Sequence, residues 1–358
     1  MNNISRNNHF VAQMYLEAWK NSDNKVWTYD LLVPNENCDL WSEKSTKSIA
    51  SLQNFYINLK EKEEVDEIEK YLNEEFETPA SIPLKKAIIG EKLSISDWRA
   101  IINYIGCQIV RTPAFVSKML KTAKEDMGST FQQTVTELAE ELNNISVDKL
   151  KSYSSNKEYD NDNKMFPLKI VDTGIENNGK ALIKIETIIG KSYYLYMMKH
   201  LLKETIKILH NHEWKIIDLD DRVNIPTSDD PVICLNYYAD DTYDFGGGWN
   251  NIGSEIIFPI SPRKIIYTKV GEKDIQFELN YELSMKIKTI IVEHAHRRIF
   301  SMDKEKWITK VRKRYVNLDE FQREKQMIKN WHNNYKNIES EYLEHKLLRR
   351  DCDETRRL

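Results

Sequence analysis

Ile225-Pro226-Thr227-Ser228-Asp229-Asp230-Pro231-Val232-Ile233-Cys234 is the stretch around which the rest of the chain is read. Apolar runs at residues 214–219 and 232–235 flank a polar knot bracketed by Pro226 and Pro231. Each proline fixes φ and removes a backbone donor, which puts Thr-Ser-Asp-Asp at a strand end and not inside a ladder. Two adjacent carboxylates there repel each other unless a cation, a metal ion or a row of N–H groups neutralises them. The knot therefore needs a sheet to end on and a partner from elsewhere in the chain.

The sheet is legible around it. Residues 168–172, 181–188, 255–260 and 264–270 read as strands, the last two joined by Ser261-Pro262-Arg263, a good hairpin turn. A long amphipathic helix is expected over 193–212, and Asn280 caps another that runs to Arg298. Residues 240–254, with Gly246-Gly247-Gly248, have the length of a lid or a loose turn.

The first half reads as mainly helical. Phe10, Met14 and Ala18 fall at helical spacing over residues 7–20, with His9 at the mouth of that helix near its positive end. Residues 25–30 alternate as a strand, and 51–56 form another extended piece. The acid-rich run 61–77 carries a narrow apolar stripe and reads as a solvated helix face. A helix from Pro79 stops at Gly90, and Ser94-Ile-Ser-Asp97 signals a cap for the next one, 98–111. That helix is almost wholly apolar, so its few polar residues carry information: a buried polar group without a partner costs about 1–3 kcal/mol. Tyr104, Gln108 and Arg111 share one face.

These patterns predict an α+β fold, a helical N-terminal half (1–150) packed on a mainly antiparallel sheet (167–302), with a helical extension (303–358). In the extension, Phe321, Ile328, Trp331, Tyr335, Ile338 and Tyr342 follow a rhythm close to a heptad, which suits either docking on the body or a homo-oligomer seam. The net charge of −4 argues against a general nucleic-acid binder, although 303–358 carries 15 Lys and Arg against 11 Asp and Glu. Four dispersed cysteines form no CxxC pair, no apolar leader begins the chain, and no run is long enough to span a membrane. A cytoplasmic protein without membrane partners is expected.

Several segments together resemble the uncharacterised, mostly bacterial family known as domain of unknown function 4238. The resemblance rests on Asn8-His9-Phe10 with Gln13 and Tyr15-Leu16, on residues 26–30, on Asn54-Phe55-Tyr56, and on Gln108 with Arg111-Thr112-Pro113. It continues through Thr227 to Val232 and residues 258–262 to a close at Asn280, Ala295 and Phe300-Ser301. The chain departs from the family pattern at Ala12, where proline is usual. The resemblance implies candidate positions and no reaction.

The functional expectation gathers His9, Arg111, Asp229 and Asp230 as catalytic groups, with Gln13, Glu77, Gln108 and Ser228 binding around them. An imidazole, paired carboxylates and an arginine suit metal-assisted phosphodiester hydrolysis, with Asp229 and Asp230 holding a divalent ion such as Mg or Mn and a nucleic acid or other anionic ligand on Arg111. The alternatives are a structural network in which Arg111 neutralises Asp229 or Glu77, and a non-catalytic module that binds a ligand or partner protein. No Walker loop, GxGxxG, GxSxG or HExxH is present, and His210-Asn211-His212 matches an HNH nuclease only in spelling.

Overall fold

A computed structural model of the chain describes residues 4–60, 63–144, 168–175, 181–187, 189–239, 242–274 and 280–355. Helices and antiparallel strands are mixed, so the fold is α+β. The chain divides into two compact units, each discontinuous in sequence: residues 1–115 with 198–334, and residues 116–197 with 335–358. Spatial grouping thus differs from the expected grouping in chain order, because strands from the two ends pair with each other. Residues 152–167, rich in Ser, Asn, Asp and Lys and expected from that composition to be a linker, lie outside the described residues.

The first unit carries two main sheets. Strands Lys215–Asp218, Lys264–Lys269, Glu255–Ser261, Ile233–Ala239 and Thr242–Asp244 lie side by side in that order, all antiparallel. The helix Tyr281–His294, capped by the Asn280 side chain on the Leu283 N–H, lays Ile287, Ile290 and Ile291 on one face of this sheet, against Ile233, Leu235, Ile257 and Ile265. It ends at His294, four residues short of the expected Arg298, because Arg298–Ser301 is itself a strand. The other face receives Tyr15, stacked on Phe258 at 5.1 Å, and Tyr104, 6.1 Å from the same ring. Strand Glu255–Ser261 is consequently buried on both faces, which explains its unbroken apolar run.

The second sheet joins the chain ends. Thr227–Ser228, Arg298–Ser301, Val26–Asp30 and Ser42–Lys44 pair in that order. The opening knot therefore does sit at a strand end, with Thr227 opposite Phe300 and Ser228 opposite Ile299. The glycine segment is no lid. Its backbone runs so close to strand Ile233–Ala239 that a Cβ on Gly247 would stand 2.7 Å from the Leu235 N, so only glycine fits.

Residues 7–20 are not one helix. Asn7–His9 is a strand paired with Ser51–Gln53, and only Gln13–Leu16 is α-helical before a 3₁₀ turn at Glu17–Trp19. His9 accordingly lies on a strand and not at a helix mouth. The strand prevails because the Asn8 side chain reaches the Ser5 carbonyl and the Tyr56 N–H, locking residues 7–9 extended. Ala12 adopts φ −63° and ψ 138°, the angles a proline would impose, so the departure from the family pattern leaves the turn unaltered. The cap box of Ser94 and Asp97 forms as expected and starts helix Ile95–Val110.

In the second unit the long helix Pro113–Asn144 contributes its residues from Val116, and Leu168–Ile175 pairs antiparallel with Ala181–Thr187. Lys191 places its ammonium 5.2 Å from the Tyr335 ring centre. Helix Leu318–Thr355 begins in the first unit, where Arg297 pairs with Glu320 and Glu324 and buried His332 bonds Glu64 at 3.0 Å. Residues up to 334 of the heptad-like stretch 321–342 thus belong to the first unit, and those from Tyr335 to the second. No described helix is long and apolar enough to cross a membrane.

Candidate functional site

The residues expected to form one site form two. The first is the knot. The Asp229 carboxylate is buried, with the residue 4% exposed, and accepts from the His296 N–H through Oδ1 (3.0 Å) and from the Arg297 N–H through both oxygens (3.1 and 2.9 Å). The row of N–H groups that two adjacent acids require is supplied by the turn after helix Tyr281–His294. Asp230 turns the other way, accepting from Thr112 Oγ1 (3.0 Å), with His294 Nε2 3.6 Å from its Oδ2. Ser228 Oγ closes the bend by donating to the Asp230 carbonyl (2.9 Å). Thr112 also caps helix Pro113–Asn144 through the Phe115 N–H, so Asp230 ties that cap to the knot.

This arrangement does not favour the expected metal pair. A hard divalent ion needs free carboxylate oxygens converging on one point. Here the Asp229 oxygens are engaged by backbone donors and Asp230 points to Thr112 and His294. Among the described residues, no group of three or more His, Cys, Asp or Glu side chains is set to hold a metal ion. Asp229 holds a chain crossing together. Asp229→Asn is expected to cost about 1–2 kcal/mol by weakening charge-assisted bonds. Thermal melting checks this; an unchanged melt would release Asp229 from its structural role.

The second place is a cleft of about 550 Å³ whose lining includes His9, Gln13, Asp66, Glu69, Asn73 and Glu77. It is built by a strand and a distorted helix. Glu67–Leu72 is α-helical, Asn73–Glu77 is a π turn, and Thr78–Ile89 resumes the α-helix. Glu69, Asn73 and Glu77 are four residues apart. In a straight α-helix, with about 3.6 residues per turn, eight residues overrun two turns by about 0.8 of a residue, rotating Glu77 away. A π turn absorbs one extra residue. It cancels that drift and brings Glu77 back above Glu69, so all three line the cleft.

Arg111 stands behind Glu77. The residue is 0% exposed, its Nη1 donates to Glu77 Oε1 (2.6 Å), and its Nη2 donates to the His9 carbonyl. Its own carbonyl accepts from Tyr56 Oη (2.6 Å). Three residues earlier, Gln108 Nε2 donates to the Phe10 carbonyl (2.7 Å) and its Oε1 accepts from Tyr104 Oη. The polar face of the apolar helix thus satisfies two consecutive carbonyls that the turn after strand Asn7–His9 leaves without ladder partners. Arg111 was expected either to receive an anionic ligand or to neutralise Asp229 or Glu77; its two terminal nitrogens go to Glu77 and the His9 carbonyl, while its buried Nε has no hydrogen-bond partner. Cys107, on the same helix, is a buried thiol pushed up by burial to about 12, far from the thiolate form a nucleophile needs.

Glu69 is the residue that sequence reasoning passed over, counted among the solvated acids of 61–77. Its carboxyl is pushed up to about 7 by burial and by the neighbouring Glu77 charge, with Arg111, the His9 N–H and the Asn8 side chain offsetting part of the rise. Its Oε2 is closed off from solvent and has no hydrogen-bond partner. The repeat of polar residues at 69, 73 and 77 was the available signal, but its meaning depends on the π turn. Burial holds the His9 imidazole below its ordinary range, and the Arg111 charge acts in the same direction. The His9 ring is positioned by the Lys47 carbonyl at Nε2 (3.3 Å) and by Gln13 Nε2 at Nδ1 (3.5 Å).

The two histidines of the HNH-like fragment have structural partners. His210 bonds Asn103 Oδ1 (2.7 Å) and His212 bonds the Trp249 carbonyl (2.6 Å). No curated protein and no solved structure matches the chain. The strand Asn7–His9, the Arg111-Thr112-Pro113 corner, the Thr227-to-Pro231 knot and the Phe300-Ser301 pairing all lie within one continuous match, residues 7–305, and the chain belongs to the family described as Protein of unknown function (DUF4238).

Proposed function

We propose that the chain is a hydrolase that works by general acid–base catalysis in the cleft beside His9, without a metal ion at Asp229 and Asp230. One observation carries the reading: two carboxyl groups line the same cleft in contrasting surroundings, Glu69 with a buried oxygen that has no hydrogen-bond partner and Glu77 bonded to the buried Arg111, and burial pushes Glu69 up to about 7. A protonated carboxyl beside an ionised one supplies an acid and a base at the same pH. The His9 imidazole, held toward its neutral form by burial, is a further proton acceptor on the same wall.

Carboxylates dominate the charged lining, which disfavours a phosphodiester or nucleic acid and favours a neutral or positively charged polar substrate. The compartment consistent with Cys38, Cys107 and Cys234 as free thiols is the cytoplasm. The test is a panel of nitrophenyl esters, amides and glycosides beside bis(p-nitrophenyl) phosphate, each with Mg, with Mn and with a chelator. Turnover of a neutral or cationic member that survives chelation and is lost in Glu69→Gln is expected. Hydrolysis of the phosphodiester that requires the metal and disappears in a folded Asp229→Asn would return the site to the knot.

A further inference from the structure

We propose that the start of the C-terminal helix is a strap that holds the His9 wall of the cleft in place, fastened where His332 and Arg6 share the Glu64 carboxylate. Its regulatory meaning rests on the cleft being the working site, as proposed above; the coupling itself is read without turnover. Two anchors tie helix Leu318–Thr355 to the first unit. At the near one, Arg297 Nε donates to both oxygens of Glu324 (3.0 Å each), and Nη2 lies 3.4 Å from Glu320 Oε1. At the far one, buried His332 bonds Glu64 Oε1 at 3.0 Å, and the Trp331 ring lies 6.4 Å from that of buried Phe55. Between them Lys325, Gln326, Met327, Ile328 and Lys329 are all exposed. That run is longer than one helical turn of about 3.6 residues, so no side of the turn is buried and the helix bridges from anchor to anchor.

The far anchor lands on the segments that build the cleft wall. Glu64 gives its other oxygen to Arg6 Nη2 (2.5 Å), so one carboxylate clasps the helix to the N-terminal segment. Arg6 is locked in turn to Asn54: its Nη1 donates to Asn54 Oδ1 (3.1 Å), and its carbonyl accepts from the Asn54 N–H (2.7 Å). Asn54 stands at φ 56°, a left-handed conformation that asparagine tolerates, just past strand Ser51–Gln53. That strand pairs with Asn7–His9 and sets Ser51 opposite His9. On the other side of the clasp, Asp66 accepts from the Ser5 N–H (3.2 Å), and Ser5 and Asp66 line the cleft together with His9.

The element with two states is the helix, docked or lifted. Partly exposed ion pairs contribute little singly, so a strap held at two anchors opens more readily than the sheets beneath it. When its far end lifts, Glu64 loses the imidazole and Phe55 loses the Trp331 ring. Residues 5–9 and 51–56 then lose the cover that fixes them, and the His9 wall loosens. The cleft is set while the helix is docked and slack when it lifts, so whatever moves this helix regulates the site.

Amide hydrogen exchange of the full chain, read by mass spectrometry, decides it. His332→Leu keeps the bulk beneath the helix and removes the bond to Glu64. It should speed exchange about tenfold over residues 318–334 and by a similar factor over 5–9 and 51–56, with strands Glu255–Ser261 and Lys264–Lys269 unchanged. Arg297→Gln loosens the near anchor, whose side-chain ion pairs are with Glu320 and Glu324, so a response in 5–9 must travel along the helix. It should speed exchange about threefold in the helix and in both segments. If His332→Leu loses protection throughout the sheets, Arg297→Gln decides alone. Faster exchange confined to the helix, or a helix unchanged in both variants, overturns the strap. Either failure leaves the acid–base reading standing, because that reading falls on unchanged turnover in Glu69→Gln, a variant whose helix should exchange as in wild type.

Discussion

Arg111→Met is expected to destabilise the chain by about 3–5 kcal/mol, read as a shift in the denaturation midpoint of the first unit. The magnitude comes from breaking a buried pair on one side only, which strands the other charge. Glu77 would keep its carboxylate at the cleft wall with no cation behind it, and the His9 carbonyl would lose the guanidinium donor. An unmet buried carbonyl adds about 1–3 kcal/mol of its own to the loss. The companion experiment is the double variant Arg111→Met with Glu77→Leu. Replacing both partners by apolar groups removes the stranded charge, so the double variant should recover much of the loss, stopping short of wild type because the His9 carbonyl stays unmet. A loss below about 1 kcal/mol for Arg111→Met would mean that the guanidinium is free to serve a ligand, contrary to its full burial.

What the sequence made legible follows from which interactions are local. The cap box at Ser94 and Asp97, the stop at Gly90 with φ 78°, and the hairpin through Ser261 are set by residues within a few positions of each other, and all appear as expected. The knot was also legible as a strand end, since prolines act on their own backbone. Its partner was not. The acids at 229 and 230 are answered by backbone N–H groups at 296 and 297 and by Thr112, and a backbone donor leaves no mark in residue identity. Residue types suggested Asp229 or Glu77 as the partner of Arg111, and the pair that forms is with Glu77; only side chains can be read from a sequence. The same limit hid strand Asn7–His9. Phe10, Met14 and Ala18 satisfy a helical period, yet the Asn8 bonds to Ser5 and Tyr56 fix an extended chain.

The cleft shows a second kind of illegibility. Whether Glu69 shares a wall with Glu77 depends on one additional residue in one helical turn, and rotation by that amount separates a solvated acid from a working one. Pro79 and Pro83 fall just after the distortion, and Pro83 sits inside helix Thr78–Ile89 where it can give its preceding turn no backbone donor. A proline there lowers the cost of departing from regular α pairing upstream. The π turn is thus the place where the helix surrenders regularity and the cleft gains a second carboxyl, an arrangement often met at functional sites.

Glu69→Gln is expected to raise stability and sharply lower turnover, and the opposition of those signs is what marks a working residue. Burial pushes the Glu69 carboxyl up to about 7 in the folded chain from an ordinary 4.5. Between those values the folded chain holds a proton that the unfolded chain has lost, so stability falls as pH rises through the window, and the whole cost is present above pH 7. The cost is roughly 2–3 kcal/mol, given that each pKa unit is worth about 1.4 kcal/mol and that the group is not wholly desolvated. Glutamine has nearly the same shape and cannot ionise. The variant should therefore match wild type at pH 4, below both values, and exceed it at pH 8 by that amount, as chemical denaturation at the two pH values will read. Removal of a general acid or base commonly lowers turnover by about 10²- to 10⁴-fold, and the remaining activity should lose its inflection near pH 7. A residue kept for the fold behaves as Arg111 does, and its loss destabilises. A residue kept against the interest of the fold is kept for something else. Should Glu69→Gln destabilise the chain at pH 8, Glu69 belongs to the Arg111 network and the cleft loses its acid.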